Sequence, residues 1–310
     1  MTALLFGYAH DPMVKAVSTA LDTMGADVAL WSPRDLMNDC DLRVGPGGVD
    51  GAAMIGDRII GIDEISGIFN RQSNVELTPE FRALDADDRL ADHALAASGR
   101  ASEFCDLAPC LVMNRSAPNA SNSSKPLQSL LIAEHFFVPR TCITNDYDIA
   151  AEFCARMGRV IYKSCSGERS IVTELEPGQL EARREMLTAC PVQFQERVEG
   201  RDMRVHVVGE SIFATEVRSD KADYRYDGEA DWRAATVSDE VAAAAIALTR
   251  KLGLVLAGID LRYCDDGRVF CFEVNPSPAF SAYQEATGQP ISDEVAAQLA
   301  AGGQGAGGQG

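Results

Sequence analysis

Positive charge is scarce in this sequence: 28 Lys and Arg stand against 46 Asp and Glu, for a net charge of −18. Gripping a nucleic-acid backbone takes Lys and Arg over its phosphates, so no nucleic-acid partner is expected and any phosphate site must be local. The plain use of such charge is solubility. No apolar run approaches the ~20 residues that cross a bilayer, so no membrane partner is expected either. The opening MTALLFGYAHDP lacks a basic region ahead of its apolar residues, which excludes a secretory signal. The nine cysteines are scattered and form no CxxC pair. That excludes a disulfide framework and a zinc site, and suits reduced thiols in a cytoplasm. A free Cys, Cys165 included, is by default a small buried apolar side chain. No GxGxxG follows the first strand, so the dinucleotide fingerprint is missing. No internal repeat is found, and AGGQGAGGQG at 301–310 has nothing to bury and is expected to be disordered.

What is present is apolar content. With 46% hydrophobic residues in 310, the chain can build more than one core, and two or three domains are expected. ALLFGYAH reads as a buried strand, PMVKAVSTALDTMG as a helix ending at Gly25, and DVALWS as the next strand. Strand, helix, strand, followed by ISGIFN and CLVMNR, predicts an α/β domain with parallel strands. RALDADDRLADHALAAS reads as an amphipathic helix. Its Asp85, Asp87, Asp88 and Asp92 form a solvated face rather than a metal cluster, and its His93 is structural. Composition shifts at the Ser-, Asn- and Pro-rich APNASNSSKP, which marks a boundary. Beyond it, KPLQSLLIAEHF, DIAAEFCARMG and DEVAAAAIALTRKLG read as helices. VPRTCITN, RVIYKS, VQFQERV, DMRVHVVG, ESIFATEVR, LVLAGIDLRYC and RVFCFEVN read as strands, largely antiparallel.

One stretch, GIDLRYCDDGRVFCFEVNPSP at 258–278, places an Asp, a Glu and an Asn in apolar surroundings. Asp266-Gly267 suits a two-residue hairpin turn. Counting outward from that turn sets Asp260 opposite Glu273, and directly opposed residues share a face of the sheet. Asn275, two residues along, shares it too. Two opposed carboxylates repel unless a cation joins them. Asp, Glu and an amide carbonyl suit Mg²⁺ or Mn²⁺ rather than zinc. The competing reading is an exposed edge with ordinary polar alternation, and the apolar run LVLAGI ahead of Asp260 weighs against it. A loop of another length would break the register.

A magnesium site with few protein ligands usually keeps company with phosphates. Lys163 ends the strand RVIY and opens the small-residue loop SCSGERS, whose N–H groups can approach phosphate oxygens. Lys125 is a second phosphate candidate. Taken alone, the Lys163 loop reads better as a surface turn, and Lys125 alone carries as little. In QFQERVEGRDMRVHVV, a short strand meets a Gly turn and then a strand with Asp202, Arg204 and His206 on one face. Asp202 can accept from a ribose hydroxyl, and main-chain groups near Glu196 and Val198 can pair with an adenine edge. A salt-bridged strand surface is the alternative for each.

These elements occur in the order Lys125, Lys163 with its loop, QERVEGRD, Arg218, then AGIDLR and FEVNPSP. That order resembles the ATP-grasp ligase family, in the branch of ribosomal-protein glutamate ligases and ligases that modify ribosomally made peptides. The resemblance covers roughly residues 118 to 292. It implies an N-terminal parallel α/β domain over 1–117 followed by a two-lobed ATP-grasp fold of α+β type, with the first lobe over 118–192 and the second, carrying the metal site, over 193–300. It also implies ATP and Mg²⁺, with Mn²⁺ as an alternative. Lys125 and Lys163 would contact phosphates, with Ser166 and Gly167 in the covering loop. Gln195, Glu196 and Val198 would meet adenine, and Asp202 the ribose. Asp260, Glu273 and Asn275 would hold the metal, while Arg218, Arg204 and Arg225 would steady the transferring phosphoryl group. The reaction implied is ADP-forming joining of a carboxylate to an amine through an acylphosphate. The substrate that the branch resemblance implies is a peptide or protein. The alternatives are a small-molecule amino-acid ligase or a nucleotide-binding scaffold without activity. Family members often form dimers or tetramers, and no interface signature appears here. The phosphate loop KSCSGERS is short for the pattern, and NPSPAFSAYQEATGQPI departs from what peptide-modifying members carry. Ser277 there either meets the acceptor or serves a turn.

Overall fold

The computed structural model describes residues 1–85, 88–165, 172–218 and 231–302. The chain forms two compact units. One comprises Met1–Asn119, Gly253–Leu256 and the residues from Ser277 onward; the other comprises Ala120–Leu252 and Ala257–Pro276. The first change of unit along the chain comes between Asn119 and Ala120. Residues 277–300 do not stay with the second lobe, to which the sequence boundaries assign them; they group with the N-terminal unit.

In the first unit, β1 (Thr2–Phe6) is buried along its whole length. It lies parallel between β2 (Asp27–Trp31) and β6 (Ile65–Asn70), with β7 (Leu111–Met113) outside β6. A parallel strand covered on both faces needs the unbroken apolar run that TALLF supplies. Helix α1 (Pro12–Thr23) starts where Asp11 accepts from the N–H groups of Met13 and Val14, at 2.8 and 3.2 Å. Helix α2 (Arg89–Leu107) buries Ala91, Ala94, Ala97, Ala101 and Phe104 along one stripe. It begins later than the acidic run suggests, because Asp88 is its cap, accepting from Leu90 N–H at 2.8 Å. Asp85 and Asp92 are exposed, as a solvated face should be, and Asp87 lies outside the described residues. His93 sits 4.0 Å from Asp39, which Arg100 also holds, so its partners are structural.

A three-stranded antiparallel sheet of β3 (Asp39–Gly45), β4 (Gly48–Ile55) and β5 (Arg58–Gly61) was not expected. Its strands interrupt their β-branched residues with Gly and Asp. Their burial comes from Cys40, Ala53 and Ile60, which join the core around Leu4 and Phe6. Helices α6 (Ser281–Thr287) and α7 (Ile291–Ala300) complete the unit. At Gly67 a Cβ would come within 2.9 Å of the Leu299 Cα, so glycine there lets α7 lie directly on β6.

The second unit holds two sheets. The first has the order β10 (Thr173–Glu174), β9 (Val160–Ser164), β11 (Val192–Glu196), β8 (Thr141–Thr144), all antiparallel. Helix α4 (Tyr147–Met157), capped by Asp146, packs Ala150 and Phe153 against Val160 and Phe194. The second sheet has the order β14 (Asp231–Ala235), β13 (Ser211–Arg218), β12 (Arg201–Val208), β15 (Leu256–Tyr263), β16 (Val269–Asn275). Helix α5 (Asp239–Lys251) supplies buried Ala245 and Leu248. Helix α3 (Lys125–Ile132) follows a short turn at Ala120–Ser123. Mixed α/β architecture with one parallel and several antiparallel sheets is what the sequence predicts.

Candidate active site

The pairing at the centre of the site holds, but by another route than the sequence suggests. The hairpin loop has three residues, Asp265 to Gly267, closed by Cys264 N–H to Arg268 O at 3.0 Å, with Gly267 left-handed at φ +84°. Tyr263 therefore faces Val269, Arg262 faces Phe270, and Leu261 faces Cys271. Continued unbroken, that register would set Phe272 opposite Asp260 and turn Glu273 to the other face. A bulge between Asp260 and Leu261 absorbs Phe272 and returns Glu273 to a position directly opposite Asp260, with Asn275 opposite Gly258. The displaced Phe272 ring lies 5.0 Å from the Arg262 guanidinium.

Strand β12 brings its polar face to the same place. Arg204 is 6% exposed and donates from Nη1 to Asp260 Oδ1 at 2.6 Å. One step along, Arg262 donates from Nε and Nη2 to the two Asp202 oxygens at 2.8 and 2.9 Å, and from Nη1 to the Val198 carbonyl at 2.7 Å. His206 is fully buried beside Arg204, with Arg204 Nε 3.5 Å from its Nε2. Burial, and then the Arg204 charge, hold its pKa well below the usual imidazole value, so it is neutral. Asp202, Arg204 and His206 thus form one polar strip beside Asp260, Glu273 and Asn275. Behind the pair, Cys271 is fully buried, and its thiol is pushed far up, first by burial and next by the Asp260 charge.

Gly200 makes this possible. Its φ is +149°, and a Cβ there would sit 2.3 Å from the Tyr263 carbonyl oxygen. Only glycine allows β12 to enter so close to β15, which is what the Gly in EGRD accomplishes.

The remaining sequence candidates fall as follows. Lys163 stands directly opposite Gln193 in the β9–β11 ladder, and Gln195 opposite Ile161. Lys125 opens α3. The Glu196 N–H donates to the Arg140 carbonyl at 2.9 Å, and its side chain accepts from the Arg140 N–H at 2.9 Å. Arg218 is not brought to the Asp260 face. Arg204 opposes Thr215, so residues 215 and 217 share its face while 216 and 218 take the other; Arg218 there donates to Glu216 at 3.1 Å and is 57% exposed. Ser277 belongs to the N-terminal unit, where its hydroxyl accepts from Arg71 Nη1 at 3.0 Å. Ser166, Gly167 and Arg225 lie outside the described residues. Cys165 is half-buried with its thiol raised by burial, and all nine cysteines are unpaired thiols.

Residues 120–299 match the family of the RimK-like ATP-grasp domain. The chain belongs to that family. A probable alpha-L-glutamate ligase of Klebsiella pneumoniae (strain 342) is 31% identical over 182 residues, which are 55% of this ATP-grasp chain and 60% of that protein. The chain thus spans about three fifths of the length of that relative. A RiPP-associated ATP-grasp ligase of Chryseobacterium gregarium, solved with ADP and a leader and core peptide, has a TM-score of 0.81 at 20% identity over 96% of each chain. At that identity the likeness is one of fold. The ATP-grasp ligase PsnB, solved with a phosphomimetic variant of its minimal precursor, Mg and ADP, has a TM-score of 0.75 at 25% identity, covering 97% of this chain and 98% of that one.

Two residues of this ATP-grasp chain escaped the sequence reading. Asn122, in the turn before α3, donates from Nδ2 to Glu273 Oε1 at 2.7 Å, and its Oδ1 is buried without a partner. Gln128 donates to the Val274 carbonyl at 2.8 Å and accepts from its N–H at 3.0 Å, completing the ladder of β16 as a neighbouring strand would. Asn122 comes from the Ser-, Asn- and Pro-rich boundary segment and Gln128 from the helix read after it; their only signal is an Asn and a Gln spaced six apart around a Pro. Among the described residues, no three His, Cys, Asp or Glu side chains group as a metal cluster. The oxygen set is two carboxylates and an amide, with the orphaned Asn122 Oδ1 alongside, which fits a hard cation that keeps part of its water shell.

Proposed function

We propose that this chain is an ADP-forming carboxylate–amine ligase that uses ATP and Mg²⁺ and acts on a peptide. One observation carries the reading: in a chain of the ATP-grasp family, Asp260 faces Glu273 across a bulged ladder, with Arg204 against Asp260. A divalent cation held by Asp260, Glu273 and Asn275, when bound, neutralises phosphate charge in phosphoryl transfer. Arg204 contributes a fixed planar cation on the same face, preorganised by its burial. Lys163 and Lys125 bind phosphates. Arg262 fixes the Asp202 carboxylate for a ribose hydroxyl while holding the Val198 carbonyl, so that one guanidinium sets the sugar and base contacts together. ATP activates the substrate carboxylate as an acylphosphate, and the amine then displaces phosphate.

The peptide reading is supported by the solved neighbours, which were captured with leader, core or precursor peptides. The amino-acid reading has its own support in the glutamate-ligase relative. A cytoplasmic setting agrees with nine free thiols. No described helix is long and apolar enough to cross a membrane.

Incubation with ATP and Mg²⁺, with and without pooled precursor peptides or free amino acids, tests the reading. Acceptor-dependent ADP and phosphate, with loss of water from a peptide by mass, is the expected result. AMP in place of ADP would overturn it, and ADP formation with amino acids alone would select the small-molecule reading. Nucleotide binding without turnover by any acceptor would favour a scaffold.

A further inference from the structure

Two glutamine amides lie on one face of β11. Gln193 and Gln195 are each 3% exposed, and each carries an Oε1 sealed from water with no hydrogen-bond partner. The intervening Phe194 points to the other face, into the apolar core with Phe153 and Val160. Gln195 is oriented by its Nε2, which donates to Thr141 Oγ1 at 3.2 Å. Gln193 stands directly opposite Lys163, so amide and ammonium share a face.

A buried amide oxygen left unpaired costs about 1–3 kcal/mol, and an apolar side chain of the same length at 193 would avoid that cost. Strand pairing does not call for Gln here, since main-chain groups make the ladder. An amide kept at such a place is accounted for by a ligand that pairs with it in the bound state. The neighbouring Lys163 selects an anionic ligand. The segment Glu196–Val198 begins about 10 Å along the strand at its ordinary rise. A ligand reaching from that segment to Lys163 passes over Gln195 and Gln193.

We infer that Gln193 is a contact residue for a nucleoside di- or triphosphate, placed between the base-binding segment and the phosphate-binding Lys163. The assignment rests on the nucleotide reading above and extends it to a side chain that the family's motifs leave out. The test uses the full chain with MgADP as probe and two readouts. Gln193→Met removes the amide at nearly constant length. Isothermal titration is expected to show a loss of MgADP affinity of about 5- to 30-fold, the equivalent of about 1–2 kcal/mol, while the nucleotide-free protein melts at the same temperature or higher. Weaker binding without a lower melting temperature is the signature, since a residue that merely holds the sheet together would lower both. Unchanged affinity, or a nucleotide-free protein that melts several degrees lower, overturns the inference. Gln193→Leu carries the same test if the Met variant does not fold. Lys163→Ala serves as the control. A wild-type chain that takes up no MgADP, and is indistinguishable from Lys163→Ala, overturns the nucleotide reading itself rather than the part of Gln193 in it.

Discussion

Arg204 and Asp260 form a nearly buried ion pair, 2.6 Å between Nη1 and Oδ1, with side chains 7% and 23% exposed. Removing one partner of such a pair strands the other charge and costs about 3–5 kcal/mol. Asp260→Asn is therefore expected to lower stability by about 3 kcal/mol as well as abolish turnover. Urea unfolding of Asp260→Asn, Arg204→Leu and the double variant measures this. The double variant should lose less than the sum of the two singles. Additive losses would show that the pair is not coupled.

Arg262 holds three acceptors at once: both oxygens of Asp202 and the Val198 carbonyl. Arg262→Met keeps an unbranched side chain but removes the guanidinium, freeing the loop and the carboxylate. If one guanidinium positions the sugar and base contacts, KM for ATP rises about tenfold, the equivalent of about 1.4 kcal/mol, with a smaller change in kcat. Steady-state kinetics in ATP read this directly, and a fall in kcat with KM unchanged would assign Arg262 elsewhere.

The sequence carried the Asp260–Glu273 pairing for a partly wrong reason. A two-residue turn and an unbroken ladder give the same partner as a three-residue loop followed by a bulge, because the extra loop residue and the extra strand residue cancel. Alternation and turn chemistry are local, and they made β1, α1, α4 and most strands of the second unit legible, but neither the two-residue β10 nor β14. Long-range contacts are not local. The Gln128 clamp on Val274, the Asn122 bond to Glu273 and the return of residues from Ser277 to the first unit link positions far apart in sequence. The sheet at 39–61 is not legible because glycine at close approaches, as at Gly51 against the Asp41 carbonyl, breaks up the runs by which strands are recognised. Arg218 was placed by family order alone, and strand register puts it on the other face.

Gly200 offers a test of the approach between β12 and β15. Its φ of +149° and the 2.3 Å that would separate a Cβ from the Tyr263 carbonyl oxygen leave no room for a side chain. Gly200→Ala must shift backbone against backbone, and a loss of about 2–4 kcal/mol is expected, in the range of a strained backbone with overpacking. Because Arg262 and Asp202 flank this contact, nucleotide binding should weaken with it. A variant as stable as wild type in urea would show that the strands separate at little cost.

His206 sets a pH limit on stability. In the folded chain its pKa lies well below the usual 6.5, first through burial and then through Arg204. In the unfolded chain it titrates near 6.5. Above that value both states hold neutral imidazole, and this residue contributes no slope. As pH falls below it, the unfolded state binds a proton that the folded state refuses, so stability drops by up to about 1.4 kcal/mol per pH unit until the depressed folded pKa is reached. Urea midpoints at pH 7.5, 6.5 and 5.5 should therefore fall across the lower interval and stay nearly level across the upper one, as far as this group decides. His206→Gln removes the titration and should flatten the lower interval relative to wild type, whatever it does to stability at pH 7.5. Parallel curves for the two proteins would mean that the folded state accommodates a charged His206 beside Arg204, and that the buried strip is wetter than its geometry implies.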